Sequence, residues 1–201
     1  MRGNRTKIVA FEGMPGAGKT STIRMLKNIL EKRAAVIPQI AIPSLRYIDS
    51  LAISQKYLDI EIKKANKIRK LICKGRYEYL FLDRTFLTTL AYAYVRSHQD
   101  KNFGSYNKLV EYFHALDAKR HFPRPTLCFL FLVSTQKSIH RRRKYLKMKA
   151  FRLWFDPLFL KQMRSFYRKY AADFDMPKPV VINTTSMKPR KIISIVRRYL
   201  P

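Results

Sequence analysis

The sequence predicts an α/β protein built on a doubly wound parallel sheet. Five short runs rich in Ile, Val, Phe and Leu alternate with longer stretches of helical pattern, and several of the runs lack polar alternation. Strands buried on both faces read that way, and parallel sheets are covered on both faces. Strand–helix alternation points to the same class. In chain order the expected strands are Lys7–Glu12, Ala35–Ile40, Glu78–Asp83, Thr126–Val133 and Pro179–Asn183. The expected helices are Lys19–Arg33, Ser54–Lys74, Phe86–Ser97, Ser105–Arg120, Gln136–Lys149, Pro157–Ala172 and Lys188–Leu200. Pro38–Asp49 carries two prolines and reads as a loop after the second strand, whereas Ala150–Asp156 is aromatic and irregular. Open parallel sheets bind ligands at the carboxyl ends of their strands, so chemistry is expected at Glu12–Lys19, Gln39–Ser44, Asp83–Arg84 and Ser134–Thr135.

The bulk composition sets bounds. The chain has 201 residues, 47% of them hydrophobic, which suits one domain over 1–201 with a real core. The longest apolar run, Leu127–Val133, falls far short of the roughly 20 residues a membrane helix needs. The basic start, Met1 to Lys7, leads at once to Glu12 and a glycine loop and does not read as a signal peptide. Cys73 and Cys128 lie far apart and read as core residues, which suits a reducing cytoplasmic setting. The formal charge is +29, from 42 Lys and Arg against 13 Asp and Glu. Such a surface attracts nucleotides, nucleic acid or acidic lipid, and its spread along the chain argues against a dedicated tail.

Gly13-Met14-Pro15-Gly16-Ala17-Gly18-Lys19-Thr20 matches the phosphate-loop pattern in full, between an apolar strand and a helical stretch that opens with Thr20 and Ser21. Glycines let the backbone curl so that N–H groups converge on phosphate oxygens, and the helix that follows presents its positive end. Lys19 is placed to reach the outer phosphates, and the Thr20 hydroxyl to ligate Mg²⁺.

The run Tyr79–Leu82 ends in Asp83 and Arg84. A carboxylate at the tip of a buried strand beside this loop can hold the metal or accept a proton, and Arg84 can clamp a phosphoryl group. The bland alternative is a helix start, with Asp83 as cap and Arg84 solvated. After the fourth strand, Ser134–Lys149 contains His140-Arg141-Arg142-Arg143-Lys144. Neighbours on a helix differ by about 100°, so only one or two of these can swing over the phosphates as a lid. The rest form a solvated face or a polyanion contact. His98, His114, His121 and His140 have no partners at ligand spacing, and no Ser/His/Asp or Cys/His set is evident.

Phe11-Glu12-Gly13, Gly18-Lys19-Thr20, Leu82-Asp83-Arg84 and the basic stretch after the fourth strand resemble the thymidylate kinase and deoxynucleoside kinase group of P-loop enzymes. The likeness covers nearly the whole chain and includes Leu90-Ala91-Tyr92-Ala93, Phe166-Tyr167-Arg168-Lys169-Tyr170 and the closing Val180–Asn183 strand. It implies a P-loop NTPase-type three-layer sandwich with sheet order 2-3-1-4-5 and a basic lid over about 136–156. It also implies ATP with Mg²⁺, the latter on Thr20 and Asp83. The donor nucleotide would lie on Gly13 to Ser21, with Lys19, Asp83 and Arg84 at the reacting phosphate, Arg141 against the donor base and Arg143, or a basic neighbour, as the lid residue. A homodimer is common in the group; the aromatics of Phe86–Tyr94 and Tyr106–Phe113 would serve a dimer or the core equally.

The acceptor half departs from the group. Deoxynucleoside kinases place a catalytic Glu after the second strand, where this chain has Pro38-Gln39, and thymidylate kinases carry an Arg-Glu-Pro-Gly-type segment where it has Gln39-Ile40-Ala41-Ile42-Pro43. Tyr57-Leu58-Asp59-Ile60-Glu61 lacks the arginine those enzymes use; Asp59 and Glu61 are either acceptor carboxylates or exposed helix charges. The expected activity is ATP-dependent phosphoryl transfer to a small, anionic acceptor, a nucleoside monophosphate ahead of a nucleoside. The alternatives are a kinase of a non-nucleotide metabolite and a basic ATP-binding module associated with nucleic acid. No Asn-Lys-x-Asp segment supports a GTPase.

Overall fold

The computed structural model describes residues 6–39, 50–145, 147, 153–170 and 173–200. Strands β1 (Lys7–Gly13), β2 (Ala34–Ile37), β3 (Tyr79–Asp83), β4 (Leu127–Leu132) and β5 (Val180–Asn183) form one parallel sheet in the order β2-β3-β1-β4-β5. Helices α1 (Lys19–Leu30), α2 (Ser50–Cys73), α3 (Phe86–Gln99), α4 (Phe103–Ala118), α5 (Thr135–Arg141), α6 (Pro157–Tyr170) and α7 (Pro189–Arg197) flank it in a three-layer α/β arrangement.

Burial explains the strands. Every residue of β3 is buried, and so is every residue of β1 after Lys7, so neither run shows polar alternation. Phe11 packs edge-on against Phe81 at 5.6 Å and lies 5.5 Å from Phe129, which ties the three central strands together. A second cluster joins Ile8, Ile37, Leu80 and Leu82 to Ile68 of α2. In α1 the buried Thr22, Ile23 and Leu26 lie at helical spacing; in α7 Pro189 opens the helix and Ile192, Ile193 and Val196 face inward. α1 packs against α7, while α2, α3, α4 and α6 pack on one another. The aromatics of α3 and α4 serve the core: Phe86 and Phe113 are buried with ring centres 4.6 Å apart.

Two expectations need correction. The helix expected over Gln136–Lys149 ends at Arg141, and a short 3-10 turn, Arg143–Tyr145, follows. Just past the helix end the Arg142 guanidinium lies 3.4 Å over the Trp154 ring. Cys73 is exposed at the end of α2, not in the core; Cys128 is buried, and both are free. Of the loop expected over Pro38–Asp49, residues 40–49 lie outside the described residues, as do the lid positions 146 and 148–152. Among the described residues no helix is long and apolar enough to cross a membrane.

β1 sits between β3 and β4, and its register with both brings three strand ends to one place. Phe11 pairs with Asp83, and Gly13 pairs with Phe131. Connections leave toward β2 on one side and toward β5 on the other, so the end of β1 is the switch point where an open sheet of this kind binds its ligand.

Candidate functional site

The loop after β1 is held by its neighbours. Met14 N–H donates to the Phe131 carbonyl at 2.9 Å, and Met14 and Ala17 are wholly buried beneath the loop. Gly13 has φ +117°, and a Cβ there would sit 2.1 Å from the Phe131 oxygen, so no other residue fits. Lys19 turns back under the loop, and its ammonium donates to the carbonyls of Gly13 at 2.9 Å and Met14 at 2.8 Å. Burial lowers the Lys19 pKa well below the ordinary value, and the nearby Arg84 charge adds to the effect. α1 starts at Lys19 with no side-chain cap and no acidic residue in its first turn, leaving its leading N–H groups to an anion. Thr20 and Ser21 are exposed at that end.

Thr20 Oγ1 donates to Asp83 Oδ2 at 2.6 Å, so the loop and the tip of β3 are in contact. Asp83 is 6% exposed, and its Oδ1 is buried with no hydrogen-bond partner. A buried carboxylate oxygen without a donor is costly unless something positive uses it. A hydroxyl and a carboxylate are the hard oxygen ligands that Mg²⁺ prefers, so these two residues fit the ion. Asp83 does not cap the next helix: Thr85 does, accepting from Leu87 N–H at 3.2 Å.

Arg84, at φ 70°, is 6% exposed rather than solvated. Its Nη1 donates to the Gly13 carbonyl at 3.1 Å and to Thr88 Oγ1 at 3.2 Å, and its Nε to Gln39 Oε1 at 2.9 Å. Gly13 thus accepts from both Lys19 and Arg84. The Arg84 carbonyl accepts from Lys64 Nζ at 2.6 Å. Lys64 is 2% exposed and was not foreseen from sequence, since it sits in a helix crowded with surface lysines. Glu61 lies 3.4 Å from Lys64, yet burial outweighs that pairing and pushes the Glu61 carboxyl up. Asp59 is exposed and accepts from Tyr112 OH at 2.8 Å.

Glu12, the acidic residue nearest the loop in sequence, is fully occupied. Its Oε1 accepts from Thr85 N–H at 2.5 Å and Thr85 Oγ1 at 2.7 Å, and its Oε2 from Thr88 Oγ1 at 2.9 Å and Tyr167 OH at 3.3 Å. It ties β1 to α3 and α6 and leaves Asp83 as the carboxylate with a free oxygen at the loop.

α5 docks directly on the phosphate loop. Ser138 is fully buried and donates to the Pro15 carbonyl at 2.7 Å. Arg141, three residues on, donates from Nη1 to the Gly16 carbonyl and Thr184 Oγ1, both at 3.2 Å, and from Nη2 to the Thr184 carbonyl at 2.8 Å. Ser138 was not foreseen from sequence; its i, i+3 spacing from Arg141 is the signal that could have placed both on one face. Of the two arginines that follow, Arg143 is exposed, while Arg142 is partly buried near Lys19, Arg84 and Tyr92. Burial lowers the Arg142 pKa to about 10, which still leaves it charged at neutral pH. Among the described residues no group of three or more His, Cys, Asp or Glu could hold a metal ion.

No protein-family model matches the chain. A "probable thymidylate kinase" from Sulfurisphaera tokodaii is 27% identical over 145 residues, spanning 69% of this chain and 70% of that protein. Among solved structures, a thymidylate kinase from Candida albicans superposes with TM-score 0.74 at 12% identity, covering 98% of this chain and 91% of that one. A deoxyadenosine kinase from M. mycoides, solved with bound dATP, gives TM-score 0.65 at 16% identity, covering 96% and 98%. The chain is thus similar in sequence to a probable thymidylate kinase and in fold to P-loop nucleoside and nucleotide kinases.

Proposed function

We propose that the chain is an ATP-dependent phosphotransferase that passes the γ-phosphoryl group to a nucleoside monophosphate. The observation that carries this reading is an excess of positive charge at the end of β1. Burial, with the Arg84 charge added, lowers the proton affinity of both Lys19 and Arg142, while that of Arg84 itself is raised because Tyr167, Glu12 and Asp83 beside it outweigh its burial. The carboxylates of Glu12 and Asp83 beside them offset this only in part, two anions against three cations. Buried like charges held together are unfavourable until an anion arrives. A triphosphate donor answers part of that excess, and an acceptor that brings its own phosphate answers more.

In this reading the phosphates of ATP lie in the loop Gly13 to Thr20, and Lys19 exchanges its carbonyl partners for phosphate oxygens. Arg141, fixed on Gly16 and Thr184, borders the place of the donor base. Thr20 and Asp83 would hold Mg²⁺, which spreads the phosphate charge when bound. Arg84 and Arg142 steady the transferring group as its bond to the β-phosphate oxygen breaks and a bond to the acceptor phosphate oxygen forms. That acceptor oxygen is already ionised, so no strong base is needed beside it. Gln39 suits this: its amide holds Arg84 without neutralising it. The single domain over 1–201, its basic lid over about 136–156 and a cytoplasmic place of work belong to the same proposal.

The test is a radiolabelled-ATP transfer screen across nucleosides, nucleoside monophosphates and sugars. Label on a monophosphate supports the reading. Label on a sugar or nucleoside alone overturns the acceptor class, and label on nothing overturns the enzyme.

A further inference from the structure

Five lysines of α2 and its last turn fall on one line: Lys56, Lys63, Lys67, Lys70 and Lys74 are all exposed. Lys74 continues the helix, its N–H donating to the Lys70 carbonyl at 3.3 Å. At about 100° per residue, the later four lie roughly 20°, 20°, 40° and 0° from Lys56, so all five share an arc of about 60°. At about 1.5 Å per residue they run roughly 27 Å along the surface. The ion pairs among the described residues are Arg33–Glu78, Lys64–Glu61, Arg96–Asp100, Arg124–Asp117 and Arg124–Asp175, and none uses a lysine of this stripe. Asp59, the acid nearest the line, is engaged by Tyr112.

We infer that this stripe is a docking surface for the phosphate backbone of duplex nucleic acid. A line of unpaired point charges of this length matches a polyanion that carries one charge per about 1.7 Å of axis. Lysine stems position a phosphate backbone and do not read bases, so the contact is independent of sequence. An anionic membrane is the poorer match. A helix lying in a membrane surface needs an apolar face in the lipid, and α2 spends its own on the core through Leu58, Ala65 and Ile68. The exposed large hydrophobics among the described residues are Ile29, Phe103, Leu158, Val181 and Tyr199, none of them on α2. A single strand would call for exposed aromatic platforms, and the stripe has none. A second copy of this face would bring like charges together. Lys64, turned about 80° from the stripe, is buried on the Arg84 carbonyl, so stripe and candidate site lie on different faces and can be occupied at once.

The test compares the parent chain with two triple variants of equal charge loss. One is Lys63→Gln, Lys67→Gln, Lys70→Gln on the stripe; the other is Arg190→Gln, Lys191→Gln, Arg197→Gln on the exposed side of α7. Lysine and glutamine have similar helix propensity, and circular dichroism checks the fold. Anisotropy with a short fluorescent DNA duplex of mixed sequence is read as salt rises from about 50 to about 200 mM. Five phosphate contacts give a slope near −4.5 and a fall of about 500-fold; the stripe variant, with two left, falls only about 12-fold. The α7 variant keeps the parent's slope, and the stripe variant keeps the parent's phosphoryl transfer. Equal loss of slope in both variants would assign the binding to net charge and overturn the stripe. So would the absence of duplex binding, or stripe-dependent binding to phosphatidylserine vesicles that exceeds binding to the duplex.

Discussion

Replacing Gly13 by alanine separates two costs that the structure places on one atom. The first is backbone strain, because φ +117° lies where a Cβ is disfavoured; such positions cost about 1–3 kcal/mol. The second is crowding, because the new methyl would sit 2.1 Å from the Phe131 carbonyl oxygen and 2.9 Å from that residue's carbonyl carbon and nitrogen. These are backbone atoms of β4, so relief requires β1 and β4 to part, and overpacking of that sort costs about 1–3 kcal/mol more. A middle sum of about 4 kcal/mol lowers the melting temperature of a domain this size by roughly 12 °C. Gly18→Ala is the internal control: its φ is +94°, but a Cβ there meets nothing within 4 Å. It bears the strain alone, about 2 kcal/mol or roughly 6 °C. Because the Gly13 carbonyl accepts from both Lys19 and Arg84, the displaced loop also misplaces two cations, and transfer falls by roughly 100-fold. Thermal unfolding by circular dichroism reads the stability difference. Equal melting temperatures for the two variants would refute the crowding, and a Gly13→Ala protein melting with the parent would refute both parts.

Arg142→Ala lowers phosphoryl transfer by at least about 10-fold while Arg143→Ala stays within about 3-fold of the parent, checked by kcat/KM with a common acceptor; the reverse order would move the lid role outward. Glu61→Gln flattens the fall of stability with pH. Burial raises the folded-state pKa of Glu61, so the unfolded chain gives up this proton first. Stability therefore drops as pH rises from the ordinary 4.5 through the raised folded value, and urea midpoints across that window for parent and variant measure the difference.

The strands were legible because their burial is written in composition: Tyr79–Asp83 has no polar residue before its end, and all of it is buried. The phosphate loop and the tip of β3 were legible because their spacing is local and chemically constrained. Thr20 and Asp83 were expected at a common metal; what the structure shows is a 2.6 Å hydrogen bond between them. What could not be read depends on how helices roll against their neighbours. Arg141, Arg142 and Arg143 are consecutive, and nothing in that run tells which of them is partly buried; Arg142 is, against Trp154 and Tyr145. Lys64 looks like Lys63 and Lys67 until α2 meets the Arg84 carbonyl. Asp59 and Glu61 divided in the same way, one outward to Tyr112 and one toward Lys64. Gln39 read as a missing base; the structure gives it a positive task, holding Arg84 by Nε.

In the proposed reaction Asp83, with Oδ2 on Thr20 and Oδ1 free, serves the metal of the phosphoryl-transfer site. Asp83→Asn tests it with one titration of ATP in the presence and absence of Mg²⁺, followed by a transfer assay on the same samples. The expected result is that ATP still binds, that Mg²⁺ no longer strengthens binding, and that transfer falls by about 100-fold or more. Parent-level transfer with an unchanged Mg²⁺ response would contradict it.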